Sequence, residues 1–277
     1  MYILRNRNEL EDLLAQIRVK NFQIGLIPTM GSIHKGHISL IEKSIKNKYF
    51  SLASIYINPT QFNDRKDYLS YPREEKEDIK KIAKANCDAL YFPTLEEMYP
   101  SGIKSKKTVK KYRNILCDIF RPGHFDGVTT LVESLLKVVK PDCTFFGEKD
   151  FQQLKIIETL SQILKLNIKV IACASIRLEN GMSISSRFKK FSEDDKKIFN
   201  KCANQIKKLI YDIKKNINQV NLENFKLSLQ NIGVKKIDYL EIRRENNLLL
   251  SNTCNQSRLF IALLIGNTRV VDNFVLY

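Results

Sequence analysis

His34 and His37 are the residues of this sequence best suited to chemistry. They are two of only three histidines in 277 residues. They fall in 24–40, which runs I-G-L-I-P-T-M-G-S-I-H-K-G-H-I-S-L. The apolar run 22–27 has the composition of a buried strand, and Pro28 is expected to end it. Thr29, Met30 and Gly31 suit a turn, and a helix is expected from His34 or Lys35 through Leu40 and Ile41. Strand, glycine-bearing turn and helix is the layout that aims backbone N–H groups at an anion. Three residues of separation puts both imidazoles on one face of the first helical turn. Two histidines could also hold a metal, but no Cys, His or carboxylate stands nearby at ligand spacing. The stretch is therefore read as a centre for nucleotide phosphates.

Two further segments carry groups of the same kind. Gly147-Glu148-Lys149-Asp150 follows an apolar run and precedes a helix. Lys149 can meet a phosphate as a mobile point charge, and Asp150 can accept from ribose hydroxyls or cap the helix. Ser183-Ile184-Ser185-Ser186-Arg187 follows the turn signal Asn180-Gly181. Two hydroxyls and a guanidinium on a loop suit a clamp on a di- or triphosphate. Each segment alone also fits a plain helix cap or a linker; three in one chain favour the shared reading. Asn58-Pro59-Thr60-Gln61-Phe62 ends another apolar run and offers two side-chain amides. Gln152 and Gln153 begin the helix after Asp150, and one of them is expected to face the cleft. The third histidine lies in Arg121-Pro122-Gly123-His124-Phe125-Asp126-Gly127, a loop by its glycines and proline.

The elements that must position these groups alternate. Helices are expected at 8–18, 73–86, 128–139 and 151–166, and strands at 49–57, 88–92, 143–146 and 168–174. Short links between them predict a parallel sheet covered on both faces by right-handed crossovers. The style changes after Ser175. Ser192-Glu193-Asp194-Asp195 has the form of a capping box opening a helix to about residue 216. Strands are expected at 237–243, 259–265 and 270–276. The fold class is thus α/β, a Rossmann-like doubly wound parallel sheet over 1–175, with a smaller α+β lid domain at 176–277.

Composition narrows the rest. The chain is 43% hydrophobic, enough for a packed core. No run approaches the ~20 apolar residues that span a bilayer, and the N-terminus lacks a secretory h-region, so no membrane role is expected. Six scattered cysteines without a C-x-x-C pair argue against a disulfide framework or a zinc ribbon, and suit the cytoplasm. The net charge of +16 raises nucleic-acid binding, but Lys, Ile and Asn are abundant throughout and no dense basic tract interleaves with aromatics. The nearest, 104–113, reads as a solvated loop, and no nucleic-acid partner is expected.

The sequence resembles the pantoate–β-alanine ligase family, within the H-x-G-H nucleotidyltransferases. The matching segments are P-T-M-G-S-I-H-K-G-H at 28–37, N-P-T-Q-F at 58–62, Y-P-R at 71–73, R-P-G-H-F-D-G-V at 121–128, F-F-G-E-K-D-F-Q-Q-L at 145–154, S-S-R at 185–187 and G-N-T-R-V-V-D-N at 266–273. H-x-G-H alone would mark only the superfamily; the combination is specific and nearly full length. The resemblance implies that pantoate attacks ATP to give pantoyl adenylate and pyrophosphate, and that β-alanine then displaces AMP. It implies catalytic roles for His37, His34, Lys149 and Arg187. It implies ATP contacts from Met30, Gly31, Ser32, Ile33, His34, Lys35, Gly36 and His37, from Gly147, Glu148, Lys149 and Asp150, and from Ile176, Ile184, Ser185, Ser186 and Arg187. Gln61 and Gln153 would hold pantoate. Mg²⁺ would ride mainly on the ATP phosphates, and a homodimer is implied. Ile184 and Phe188 depart from the family's common Met and Asn, and Lys81 stands near Glu77 and Asp78 where some members place metal-binding groups, so no protein ligand to a metal is assigned. The runner-up is an adenylyltransferase of the same superfamily; a second phosphate site with an extra arginine cluster would have favoured it.

Overall fold

The β-branched and aromatic runs of the N-terminal part become parallel strands in the computed structural model, which describes residues 1–106 and 109–277. The chain divides into two compact units, the first being Met1–Arg113, Arg121–Glu148 and Gln153–Ala174. Its strands are β1 (Tyr2–Leu4), β2 (Ile24–Thr29), β3 (Phe50–Ile55), β4 (Ala89–Tyr91), β5 (Cys143–Gly147) and β6 (Lys169–Cys173). They form one sheet in the order β1-β4-β3-β2-β5-β6, and neighbouring strands run parallel. Helices α1 (Arg7–Val19), α2 (Lys35–Lys46), α3 (Arg65–Leu69), α4 (Glu75–Lys84) and α5 (Leu95–Met98) precede α6 (Cys117–Phe120), α7 (His124–Val139) and α8 (Phe151–Ile163). In α1 the buried residues are Leu10, Leu13, Leu14 and Ile17, the stripe its sequence spacing predicts.

From β2 the chain steps outward to β3 and then β4; from β5 it steps the other way to β6. With right-handed crossovers this reversal puts helices on opposite faces and makes the carboxyl ends of β2 and β5 the topological switch point. Their pairing stops at Leu26 and Thr144, so the two strand ends are free to part. Helix α2 packs on β2, β3 and β5.

Three local expectations need correction. Pro28 does not end β2 but lies inside it, in register with Ser54. Gln23 and Thr29 accept from β3, whereas Ile24 bonds toward β5 through Asp142. Pro28 therefore turns its nitrogen to the β5 side, beyond the last pair there, where no donor is required. Helix α7 starts at His124, earlier than expected, because Gly123 at φ +78° turns the chain directly into it. The stretch 104–113 is not a fully solvated loop. Residues 107 and 108 lie outside the described residues, but Val109 and Tyr112 are buried and the Lys106 N–H donates to Thr130 Oγ1 at 2.8 Å.

The second unit comprises Asn114–Phe120, Lys149–Gln152 and Ser175–Tyr277. Helix α9 (Glu193–Asn216) opens with the expected capping box of Ser192 and Asp195, and α10 (Leu222–Asn231) follows. Strands β7 (Lys236–Arg244), β8 (Ser257–Ile265) and β9 (Thr268–Val275) form an antiparallel sheet in that order. Its core joins Phe199, Cys202, Ala203 and Ile206 of α9 to Leu259, Ile261 and Leu263 of β8. The six cysteines are free. Desolvation pushes the Cys202 thiol up to about 12 and those of Cys143 and Cys173 up to about 11, so these thiols stay protonated at neutral pH. No helix among the described residues is long and apolar enough to cross a membrane.

Candidate active site

The carboxyl end of β2 carries the turn and the imidazoles in one continuous hydrogen-bonded stretch. Thr29 Oγ1 donates to the Ser54 carbonyl at 2.8 Å and accepts from the Gly31 N–H at 3.2 Å. Gly31 has φ +78°, and an added Cβ would lie 2.9 Å from Asp78 Oδ2, so the position suits glycine on both counts. The Asp78 carboxylate, buried on α4, accepts the Ser32 N–H on one oxygen and the Ile33 N–H on the other, each at 2.7 Å. Lys81, one helical turn later, donates to the Ile33 carbonyl at 3.1 Å. Asp78 and Lys81 together fix the two residues that lead into His34.

His34 is the N-cap of α2, and its Nδ1 accepts the Gly36 N–H at 3.1 Å. His37 Nδ1 in turn accepts the His34 N–H at 3.4 Å. The rings stack with centroids 4.0 Å apart and planes 18° from parallel. A nitrogen that accepts carries no proton, so each neutral ring holds its hydrogen on Nε2. The backbone thus selects the tautomer of both rings and makes each an Nε2–H donor. The N–H groups of Gly31, Ser32, Ile33, His34 and Gly36 already have protein acceptors.

Asp78→Asn is expected to keep one of the two bonds and to set an amide N–H₂ against the other backbone donor. Leaving a buried N–H without its acceptor costs about 1–3 kcal/mol. A urea midpoint shift of that size, with faster amide exchange at Ser32 and Ile33, checks it; unchanged protection at both amides contradicts it.

Past β3, Asn58 caps the 3₁₀ turn Pro59–Gln61 and is fully buried. Its Nδ2 donates to the Gly127 carbonyl at 3.0 Å and to Gln61 Oε1 at 3.3 Å. Its Oδ1 accepts from Tyr99 Oη and from Thr60 Oγ1, and Tyr99 and Thr60 meet at 2.7 Å. With Oε1 held by Asn58, the Gln61 amide nitrogen contacts Met30 Sδ, beside the histidine turn. The Gln61 carbonyl is 2.7 Å from His124 Nδ1 and accepts from Arg121 at 3.0 Å. The third histidine thus positions Gln61 rather than lining a loop of its own. Gly127 makes this possible: a Cβ there would fall 2.5 Å from the Thr60 carbonyl atoms.

Met30 and Gln61 are therefore brought together in the first unit, where Gly147 ends β5, Glu148 follows it, and Gln153 is half-buried on α8. Gln152 is spent on the protein, bonding the Ile115 carbonyl and the Cys117 N–H. Lys149, Asp150, Ile176, Ile184, Ser185, Ser186 and Arg187 belong to the second unit. Lys149 Nζ lies 3.4 Å from Asp150 Oδ1, a loose pair that leaves the ammonium able to meet another anion. Ser185 Oγ caps the 3₁₀ turn Ser186–Lys190 by accepting the Arg187 N–H. Sequence reasoning misses Asp78, Tyr99 and Arg121 as supports, because each meets its partner across tens of residues.

A family model described as Pantoate-beta-alanine ligase matches residues 2–275. The chain belongs to this family. Proteins named pantothenate synthetase are similar to it throughout. One from Chelativorans sp. (strain BNC1) is 37% identical over 98% of this chain and 96% of its own length, and one from Endomicrobium trichonymphae is 36% identical over 100% and 98%. Among solved structures, a Francisella tularensis pantoate-beta-alanine ligase complexed with beta-gamma ATP and β-alanine is 35% identical, with a TM-score of 0.85 over 99% of this chain and 97% of that one. A pantothenate synthetase from Thermus thermophilus is 30% identical, with a TM-score of 0.88 over the full length of both. Pantoate–β-alanine ligases condense pantoate with β-alanine at the expense of ATP. That reaction needs donors for phosphate oxygens and a cradle for a small hydroxy acid.

Proposed function

We propose that this ligase works in two half-reactions, with the oriented imidazole pair at the end of β2 as the phosphoryl centre. The pantoate carboxylate attacks the α-phosphorus of ATP, forming the acyl–phosphate bond as the bond to pyrophosphate breaks. The amine of β-alanine then attacks the acyl carbon of pantoyl adenylate, the amide forms, AMP leaves, and the amine loses a proton to the medium. No protein nucleophile takes part.

His34 and His37 donate from Nε2 to the phosphoryl oxygens as charge gathers there, an effect of about 10²–10³ in rate per donor. The stacked pair with both Nδ1 atoms engaged is the observation that carries this reading. Lys149 and Arg187 neutralise the triphosphate, and Ser185 and Ser186 hold it. Gln61 and Gln153 grip pantoate. Amides bind a carboxylic acid without neutralising it, so the nucleophile keeps its charge. The neighbour from Francisella tularensis, which holds beta-gamma ATP and β-alanine, supports the same substrates here.

Mg²⁺ fits this chain as a companion of the ATP phosphates, whose charge it would screen. Asp78 already gives both oxygens to the backbone, the Lys81 ammonium donates to the Ile33 carbonyl, and no group of three His, Cys, Asp or Glu side chains fit for a metal stands among the described residues. On the family resemblance we also place the chain in the cytoplasm as a homodimer.

Pyrophosphate release from ATP is expected to depend on pantoate and to need no β-alanine, and amide is expected to form in step with AMP once β-alanine is added. A coupled pyrophosphate assay measures the first, and mass detection of pantothenate the second. Release that ignores pantoate would sink the assignment; transfer of AMP to a phosphate ester instead would favour the adenylyltransferase.

A further inference from the structure

The segment G-N-T-R-V-V-D-N at 266–273 matches the family yet has no place in the chemistry above. Its last two residues, Asp272 and Asn273, are charged or polar, lie on the edge strand β9, and are 2% and 1% exposed. Groups so deeply buried are retained only with full sets of partners. Their partners are informative.

Asp272 serves the hairpin that leads to Ser185. Its Oδ2 accepts the Ser183 N–H at 2.7 Å, and its Oδ1 accepts the Ser183 hydroxyl at 2.6 Å. Arg177, on the facing arm of that hairpin, donates to Oδ2 at 3.2 Å and to the Asn273 carbonyl at 2.7 Å. The hairpin is closed by the Ile184 N–H to the Ile176 carbonyl at 3.0 Å and the Leu178 N–H to the Met182 carbonyl at 2.8 Å. Ser183 thus has both its backbone and its side chain fixed, two residues before Ser185 and four before Arg187.

Asn273 serves the other cationic segment. Its Nδ2 donates to the Lys149 carbonyl at 2.9 Å, and its Oδ1 accepts from Arg258 at 2.8 Å. The Arg258 guanidinium lies 4.2 Å from the ring centroid of Phe151, two residues beyond Lys149. The pleat of a strand sends consecutive side chains to opposite faces, so one dipeptide can hold two segments that are far apart in sequence.

We propose that Asp272 and Asn273 are positioning residues for adenylate formation: together they set where Lys149 and the Ser185, Ser186 and Arg187 group present their phosphate-binding atoms, and neither touches phosphate itself. This rests on Lys149 and Arg187 being triphosphate ligands. Displacing such a group by about 1 Å costs roughly 10²-fold in rate, and supporting partners of this kind are what hold it in place.

Asn273→Asp is the sharpest variant. It is isosteric, keeps the acceptor for Arg258, and turns a donor into an oxygen that faces the Lys149 carbonyl. Pantoate-dependent pyrophosphate release is expected to fall by about 10- to 100-fold in kcat. Amide formation from synthetic pantoyl adenylate and β-alanine, a step with no triphosphate to hold, is expected to stay within about twofold of wild type. Lys149→Ala combined with Asn273→Asp is expected to be no slower than Lys149→Ala alone, since residues acting as one unit are not additive. Asp272→Asn is expected to give the same split between half-reactions. Fully additive losses, unchanged pyrophosphate release, or equal loss of both half-reactions, including loss through failure to fold, would overturn the proposal. Wild-type activity of Lys149→Ala would instead overturn the reading of Lys149 itself, whatever Asn273→Asp does.

Discussion

His37→Ala is expected to lower kcat for pantoate-dependent pyrophosphate release by about 10²- to 10³-fold, the usual cost of one oriented donor to a transition-state oxyanion. Stability should change little by comparison. The substitution removes one stacked ring at 4.0 Å and a long 3.4 Å bond to the His34 N–H. Together these are worth about 1 kcal/mol, or roughly 2–4 °C in melting temperature for a chain of this size. A melting curve beside the pyrophosphate assay separates the two effects. The tautomer that the backbone selects adds a finer expectation. Gln places an N–H near where Nε2–H lies, whereas Asn reaches only as far as Nδ1. His37→Gln should therefore retain more activity than His37→Asn. The reverse order would mean that the ring acts through the nitrogen that the backbone already occupies.

Gly127→Ala is the second large effect, and it tests the proposed grip of Gln61 on pantoate. The added Cβ would fall 2.5 Å from the Thr60 carbonyl carbon and oxygen and 2.7 Å from the Gln61 nitrogen. All three are backbone atoms, so no side chain can swing away. The start of α7 and the turn Pro59–Gln61 must move apart, and the Asn58 bond to the Gly127 carbonyl lengthens with them. Overpacking of this kind costs about 1–3 kcal/mol. Gln61, held by Asn58, His124 and Arg121, shifts with its turn. The expected result is a rise in KM for pantoate with a fall in kcat of about 10²-fold, while KM for ATP moves much less. Equal rises in both KM values would show that the damage is general and not centred on Gln61.

Much of this is legible in the sequence, and the reasons are local. The stripe of Leu10, Leu13, Leu14 and Ile17 repeats with the helical period, and Ser192 with Asp195 forms a cap within four residues. Both signals are complete inside one element. The histidine turn is legible for the same reason, since His34, Gly36 and His37 make their bonds to one another. β1 is not, because three residues, Tyr2–Leu4, give no period to read. Pro28 misleads because the harm a proline does depends on whether a neighbour needs its missing donor, a property of the sheet and not of the residue. The supports are hidden by distance. Asp78 meets Ser32 across 46 positions, and Asn273 meets Lys149 across 124. In the sequence each is one more polar residue in a charged helix or a closing strand.

The way the chain is threaded has a consequence for how such an enzyme can be inherited. It leaves the first unit after Arg113, returns after Phe120, leaves after Glu148, returns after Gln152 and leaves finally after Ala174. A gene fragment encoding 175–277 alone would lack Phe151, whose ring meets Phe260 at 6.0 Å, and would lack Phe120 and Cys117, which contact Tyr239 at 6.0 and 3.0 Å. Recombination at one breakpoint would deliver a sheet with bare aromatic surface, prone to stick to itself. A swap that keeps this unit whole must carry three separate stretches of coding sequence at once.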